Sequence, residues 1–316
     1  MHVKVSSLFV LAICWSSQLH AADLRLGIIG TDTSHVIAFA QALNLPAAPD
    51  HMTGATITAA YKGGSPDVKE SSSRIERFAA QLRDQFGVRF VDTIGALCGQ
   101  VDGILLESVD GRTHLAQMKE ALKCGKPIFI DKPLASTLAD AREIARLAAA
   151  AGVPWFSAST LRFAGLGVLT ATPVKGALAW GPGPFQENQP LDLSWYGIHA
   201  AEILFTLMGT GCTEVTRTTS AEADVVTCRW KDGRLGSIRA DRPTSSFGAV
   251  AFHPNNKVQA LPLIQSGYAP LLREIVQFMS TRKAPVANAE TLEIFQFLDA
   301  AQRSKEKGGA PVSISK

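Results

Sequence analysis

The chain of 316 residues lacks several features that would mark a protein class at once. After the first two dozen residues no apolar run reaches the roughly 20 residues of a transmembrane helix, so no membrane span is expected. Neither sign of charge dominates, with 31 Lys and Arg against 28 Asp and Glu, a formal +3. No basic block interleaved with aromatics is present, which argues against a nucleic-acid partner. Only five cysteines occur, at 14, 98, 124, 212 and 228, and no two are close. That spacing excludes the common zinc-knuckle patterns. One disulfide is open to the four later cysteines in an oxidising compartment, but buried thiols are the simpler expectation. No internal repeat or low-complexity tract stands out.

What is present is a globular composition, 46% hydrophobic and 19% charged, on a chain long enough for two cores. The first 22 residues stand apart. A short, weakly basic start leads into apolar LFVLAICW, and LHA offers small Ala21 at a cleavage position. This reads as an export signal, placing the mature protein in the periplasm or outside the cell. Cys14 would leave with it. Without a twin arginine, the chain is expected to cross the membrane unfolded.

From residue 23 to 159 apolar strands alternate with helical segments. LRLGIIG, ATITAA, VRFV, VDGILLES, KPIFID and PWFSAS read as strands. SHVIAFAQAL, RIERFAAQLRDQF, THLAQMKEALKCG and TLADAREIARLAAAAG carry helical spacing between them. Strands apolar along their length suit a parallel sheet covered on both faces. The fold class is therefore α/β, with an N-terminal Rossmann-like doubly wound sheet. From residue 160 to 316 the rhythm changes. VKGALAWG, EVTRTTSAEADVVTCRW and GRLGSIRAD read as strands joined by turns, and IHAAEILFTLMG, PLLREIVQFMS and ETLEIFQFLDAAQRS as helices. That pattern predicts an α+β domain with one mainly antiparallel, open sheet.

The turn after the first strand reads GTDTSH, residues 30 to 35. Gly30 stands where a dinucleotide fingerprint begins, but Asp32 and His35 replace its second and third glycines. At an effective dielectric of 20, two unit charges 4 Å apart interact by about 4 kcal/mol. A helix N-terminus returns only about 0.3–1 kcal/mol per charge. The outcome depends on which way Asp32 points. Its carboxylate either opposes a diphosphate or caps the helix and fills the anion position itself. Thr31, Thr33 and Ser34 offer hydroxyls, and Thr33 or Ser34 is a candidate cap. His35 either lines the cofactor site or fills the space of the missing glycine. At the end of the second strand, where an acidic residue would hold the ribose, Tyr61 and Lys62 stand instead; Lys62 would favour a 2′-phosphate if it is not simply solvated.

LGIIG near the start, IDKP at 130–133, YGIHAAEILFTLMG at 196–209 and the tail from YAPLLREIVQF to AAQRSKEKG together resemble the glucose–fructose oxidoreductase, inositol dehydrogenase and MocA (Gfo/Idh/MocA) family. The likeness runs along nearly the whole mature chain. It implies NAD or NADP in the first domain, a sugar or polyol substrate, and a second domain whose open sheet often mediates homo-oligomerisation. It also implies Lys132 as a catalytic, substrate-contacting ammonium, with Pro133 fixing the backbone beside it and Asp131 where the family has Glu. His199 matches the family's active-site histidine, able to relay the alcohol proton. Four residues earlier Trp195 replaces the usual Asp; it can stack on a sugar face but cannot exchange a proton. Asp192 is a nearby substitute, and Glu202 one turn on is able to orient a neighbour. His114 corresponds to a residue near the cofactor, with Asp110 and Arg112 in the same loop. Arg162 matches an arginine that reaches ligand. The wide separation of Asp32, His35, His114 and His199 gives no metal-binding spacing, and no metal is expected.

The resulting expectation is an NAD(P)-dependent oxidoreductase moving hydride between a nicotinamide and a sugar or polyol. Two alternatives remain open at this level. One is a non-redox carbohydrate-binding or structural protein with a degenerate dinucleotide site. The other is an NAD-retaining lyase or glycoside-cleaving enzyme.

Overall fold

The computed structural model describes residues 23–314, so the expected export segment lies outside the described residues. Six strands, β1 (Leu24–Ile29), β2 (Ala55–Tyr61), β3 (Arg89–Val91), β4 (Gly103–Leu106), β5 (Ile128–Asp131) and β6 (Trp155–Ala158), form one sheet. Its order is β3-β2-β1-β4-β5-β6, with every neighbouring pair parallel. This is the expected Rossmann-like sheet. All four residues of β4, β5 and β6 are buried, as helices on both faces require. Those helices are α1 (His35–Asn44), the single turn α2 (Lys69–Ser72), α3 (Ile75–Phe86), α4 (His114–Ala121) and α5 (Leu138–Ala151). α5 is bounded by chemistry visible in its sequence. Thr137 accepts the Asp140 N–H at its start, and Gly152 ends it at φ 63°.

After α6 (Gly167–Thr170) the chain builds a second sheet from β7 (Gly176–Pro182), β8 (Cys212–Thr219), β9 (Ala223–Trp230), β10 (Leu235–Asp241), β11 (Gly248–Phe252), β12 (Val258–Leu261) and β13 (Val312–Ser313). The order is β12-β11-β7-β10-β9-β8-β13, antiparallel except between β7 and β10. Burial alternates along β9 and β10, the period of a sheet covered on one face. Helices α7 (Gly197–Met208) and α9 (Asn288–Glu306) cover that face. Val225, Leu235 and Phe252 are exposed on the other. The three strands β11 to β13 have too little pattern to be read in advance.

Helix α8 (Ala269–Thr281) follows six of the second sheet's seven strands in sequence yet packs on the first sheet. Leu271, Leu272, Ile275, Phe278 and Met279 share a buried cluster with Leu26 and Ile28 of β1, Phe39 of α1 and Phe129 of β5. A side chain at Gly103 would collide with Met279, so the glycine sets how closely α8 meets the strand. No helix among the described residues is long and apolar enough to cross a membrane.

The cysteines overturn the expectation of buried thiols. Cys98–Cys124 and Cys212–Cys228 are disulfides, with Cα atoms 4.7 and 5.9 Å apart. Pairs 26 and 16 residues apart in sequence meet because strand pairing and the parallel crossover fold them together. Peptide mapping without reductant should recover these two pairs cross-linked. Replacing Cys212 and Cys228 together by Ala should lower the urea-unfolding free energy by about 2–4 kcal/mol.

Candidate active-site crevice

The carboxyl ends of the first sheet open into a crevice closed from the other side by β7, the residues leading into α7, and the segment before α8. Its first wall is the turn after β1. Gly30 has φ 88°, and any Cβ there would strike Ser108. The Gly30 and Thr31 N–H groups donate to Tyr61 and Lys62 carbonyls at 3.0 and 2.9 Å. Asp32 is fully buried. Its carboxylate accepts from the Ser71 hydroxyl at 2.6 Å and the Val109 N–H at 3.1 Å. Burial raises its pKa, although those two hydrogen bonds oppose the shift. It makes no cap bond to α1, whose N-cap position is Ser34. The carboxylate has turned across the turn towards α2 and the loop after β4.

That orientation leaves the start of α1 free for an anion. Among the described residues, no group accepts from the Thr33 or Ser34 backbone N–H. Both residues line the crevice, with Arg74 nearby. Donors at a helix N-terminus suit phosphate oxygens, so this part of the turn fits a diphosphate. The ribose end offers less. Tyr61 packs against the core, and the Lys62 ammonium is 2.7 Å from Glu76. Arg112 pairs with Asp110 and Asp67 at 2.7 and 2.9 Å, and these carboxylates raise its pKa. His114 is fully buried between the Ser108 and Leu134 carbonyls, at 2.7 and 3.2 Å, where burial lowers its pKa. It ties two loops together rather than facing the crevice.

Lys132 and His199 do converge. Both line a cavity of about 670 Å3 with Ser34, His35, Thr160, Tyr196 and Tyr268. The Lys132 ammonium lies 5.8 Å from the Tyr196 ring centroid, and no carboxylate is within ion-pair distance among the described residues. It is therefore available to a substrate oxygen. His199 Nδ1 is 2.6 Å from the Ser159 hydroxyl. Burial, then the charges of Lys132 and His35, holds the imidazole well below its usual pKa. Trp195 lines the adjoining lobe, of about 360 Å3, with Lys132 and Tyr196.

Three acid–base groups meet at the crevice floor. His35 Nδ1 stands 2.7 Å from Asp131 Oδ2, while Asp131 Oδ1 accepts the Lys132 backbone N–H at 2.8 Å. Burial would raise Asp131, but the charges of His35 and Lys132 prevail and lower it. Glu107, just past β4, is fully buried, and neither carboxylate oxygen has a hydrogen-bond partner among the described residues. Burial first and Asp131 second raise its pKa well above the usual range.

Other expected residues point elsewhere. The Arg162 guanidinium spans Glu202 and Glu290, both at 2.6 Å, and lines neither lobe. Glu202 thus orients Arg162, and Ser159 is what holds His199. Asp192 pairs with Arg217 and Lys305, both at 2.7 Å, so it does not replace the carboxylate lost at Trp195. Glu107, Ser159, Tyr196 and Tyr268 escaped the sequence reading. Only Glu107 left a trace there, as a lone acid ending an apolar strand.

Residues 24–159 match the Gfo/Idh/MocA family, described as an oxidoreductase family with an NAD-binding Rossmann fold. This match and the sheet topology support an NAD(P) dinucleotide-binding site in the first domain. Among curated proteins none matches the sequence. Solved structures match along nearly all of it. Myo-inositol dehydrogenase from Lactobacillus casei, in complex with NAD(H) and myo-inositol, superposes with a TM-score of 0.72 at 17% identity, over 93% of this chain and 97% of that one. Myo-inositol 2-dehydrogenase from Lactobacillus plantarum gives 0.71 at 15%, over 93% and 100%. Apo scyllo-inositol dehydrogenase from L. casei gives 0.72 at 13%, over 93% and 99%. At such identities the likeness is one of fold.

The buried imidazoles His114 and His199 have a measurable consequence. Their folded-state pKa values lie below 6.5, so the unfolded chain binds more protons once the pH falls past that value. Their contribution to stability is complete above about pH 6.5 and is lost as the pH falls towards the folded values. Urea midpoints should therefore decline below that pH, and replacing His114 by Asn should make the decline shallower.

Proposed function

We propose that the chain is a Gfo/Idh/MocA oxidoreductase that moves hydride between a nicotinamide and a hydroxyl-bearing carbon of a sugar or polyol. The observation that carries this reading is the convergence of an unpaired Lys132 ammonium and a neutral His199 on one cavity. When bound, the dinucleotide supplies the hydride acceptor or donor. The Thr33 and Ser34 N–H groups would hold its phosphates. Lys132 donates a hydrogen bond to the reacting oxygen and stabilises negative charge developing there. In the tautomer whose Nδ1–H is given to Ser159, His199 keeps an Nε2 lone pair for the hydroxyl proton. Trp195 and Tyr196 supply aromatic faces for a sugar ring. The inositol dehydrogenases of similar fold favour a cyclic polyol as the first substrate to try.

One observation favours a second reading, a carbohydrate-binding protein without redox turnover. At the ribose end Tyr61 packs against the core and the Lys62 ammonium is paired with Glu76, so neither offers a group to a ribose. Titration with NAD(H) and NADP(H) separates the two. Absence of binding at millimolar cofactor, with none retained through purification, removes the oxidoreductase reading; a 340 nm change on adding a polyol removes the alternative.

The two disulfides support export to an oxidising compartment. The exposed apolar residues Val225, Leu235 and Phe252 support self-association through the open sheet.

If the oxidoreductase reading holds, Lys132→Ala should lower kcat by about 100-fold or more, the range of a lost oxyanion donor. His199→Asn should lower it by roughly 100- to 10,000-fold. The acid limb of the wild-type kcat/KM profile for alcohol oxidation should fall below pH 6.5, the usual histidine value, because His199 is already neutral there. His199→Asn should abolish that limb.

A further inference from the structure

We propose that His35, Glu107 and Asp131 bind a divalent first-row transition ion, of the zinc or manganese kind, at the floor of the crevice. One ligand atom from each of the three lies within 4.8 Å of the other two. Each comes from a different rigid element: His35 opens α1, Glu107 follows β4, and Asp131 ends β5. The lengths of chain between them explain why no spacing motif betrays the cluster.

Two independent observations point to a ligand. Glu107 is fully buried and neither oxygen has a partner among the described residues, a state that native interiors rarely leave unexplained. Lys132, the nearest candidate to neutralise it, makes no ion pair with it among the described residues. The second observation is His35 Nδ1. It stands 2.7 Å from Asp131 Oδ2, in contact with that carboxylate, and no other partner meets it among the described residues. Donors bound to one ion at about 2.0–2.2 Å stand roughly 3–3.6 Å apart, so the imidazole and carboxylate need to part by less than about 1 Å to admit one.

The donor set fixes the class of ion. Two carboxylates and one imidazole match the charge of a divalent cation. The nitrogen disfavours magnesium and calcium, which take oxygen ligands, and suits zinc, manganese or iron(II). Three protein ligands leave a position for an oxygen from the crevice, as catalytic sites do. His35 lines both lobes, so that oxygen is expected from a hydroxyl-bearing ligand seated there. The Tyr268 ring, 4.6 Å from the imidazole, holds its orientation. The inference rests on the cluster alone and does not require hydride transfer.

The test uses the purified full-length chain stripped with a chelator and titrated with Mn2+, followed by electron paramagnetic resonance, with Zn2+ as competitor. One ion per chain is expected, with imidazole nitrogen coupling in the pulsed spectrum. Glu107→Gln, neutral and of the same shape, should weaken binding by more than about 100-fold, beyond the roughly 10–100-fold of an outer-shell change. Asp131→Asn should do the same. Failure of wild type to bind Mn2+ or Zn2+ at millimolar concentration overturns the proposal, and so does unchanged affinity in folded Glu107→Gln. If circular dichroism shows both variants unfolded, the wild-type spectrum decides, because absent nitrogen coupling excludes His35. NAD(H) titrated in parallel keeps the questions separate: metal binding without dinucleotide binding upholds this site and removes only the oxidoreductase reading.

Discussion

An unpartnered carboxylate at the exit of a buried strand is the constraint around which this crevice is arranged. Glu107 follows a strand whose every residue is buried, and no protein donor among the described residues meets its oxygens. Leaving such a group ionised and alone in a poorly polarisable interior is expensive. The cluster therefore has two states open to it. Without a cation the carboxyl is driven towards its neutral form, while Asp131 remains ionised beside His35 and Lys132. With a cation all three donors are satisfied together, because a bound ion inverts the local acid–base logic.

The turn after β1 shows how a fingerprint can lose two glycines and keep its backbone. Only Gly30 is required sterically, because Ser108 occupies the space of its missing side chain. At the second position a side chain is accommodated by turning it inward, where Ser71 and the Val109 amide receive it. At the third, His35 reaches to the end of β5. The substitutions thus leave the amides of Thr33 and Ser34 without an acceptor among the described residues while placing an imidazole at the crevice floor.

The first sheet was legible because parallel strands buried on both faces are apolar throughout, and because Thr137 and Gly152 mark helix ends chemically. The second was half legible. Alternation revealed β9 and β10, whereas β12 and β13 are short edge strands whose pairing depends on distant partners. Lys132 and His199 were expected from a family pattern, and only the fold shows that they line one cavity. Arg162 and Asp192 are drawn into ion pairs away from the crevice for one reason: a charged side chain's direction is set by its counter-ion, and Glu290 and Arg217 are far off in sequence. Glu107 and Ser159 act through what surrounds them, which local sequence does not contain.

Helix α8 has a consequence for the order in which the protein is made. All six strands of the first sheet exist once Ala158 has been synthesised, but the helix that closes one of its faces begins at Ala269. Until then Leu26, Ile28 and Phe129 lack the cover that Leu272, Ile275 and Phe278 provide. That patch of the first sheet therefore stays without its final cover until residues 269–281 have been made.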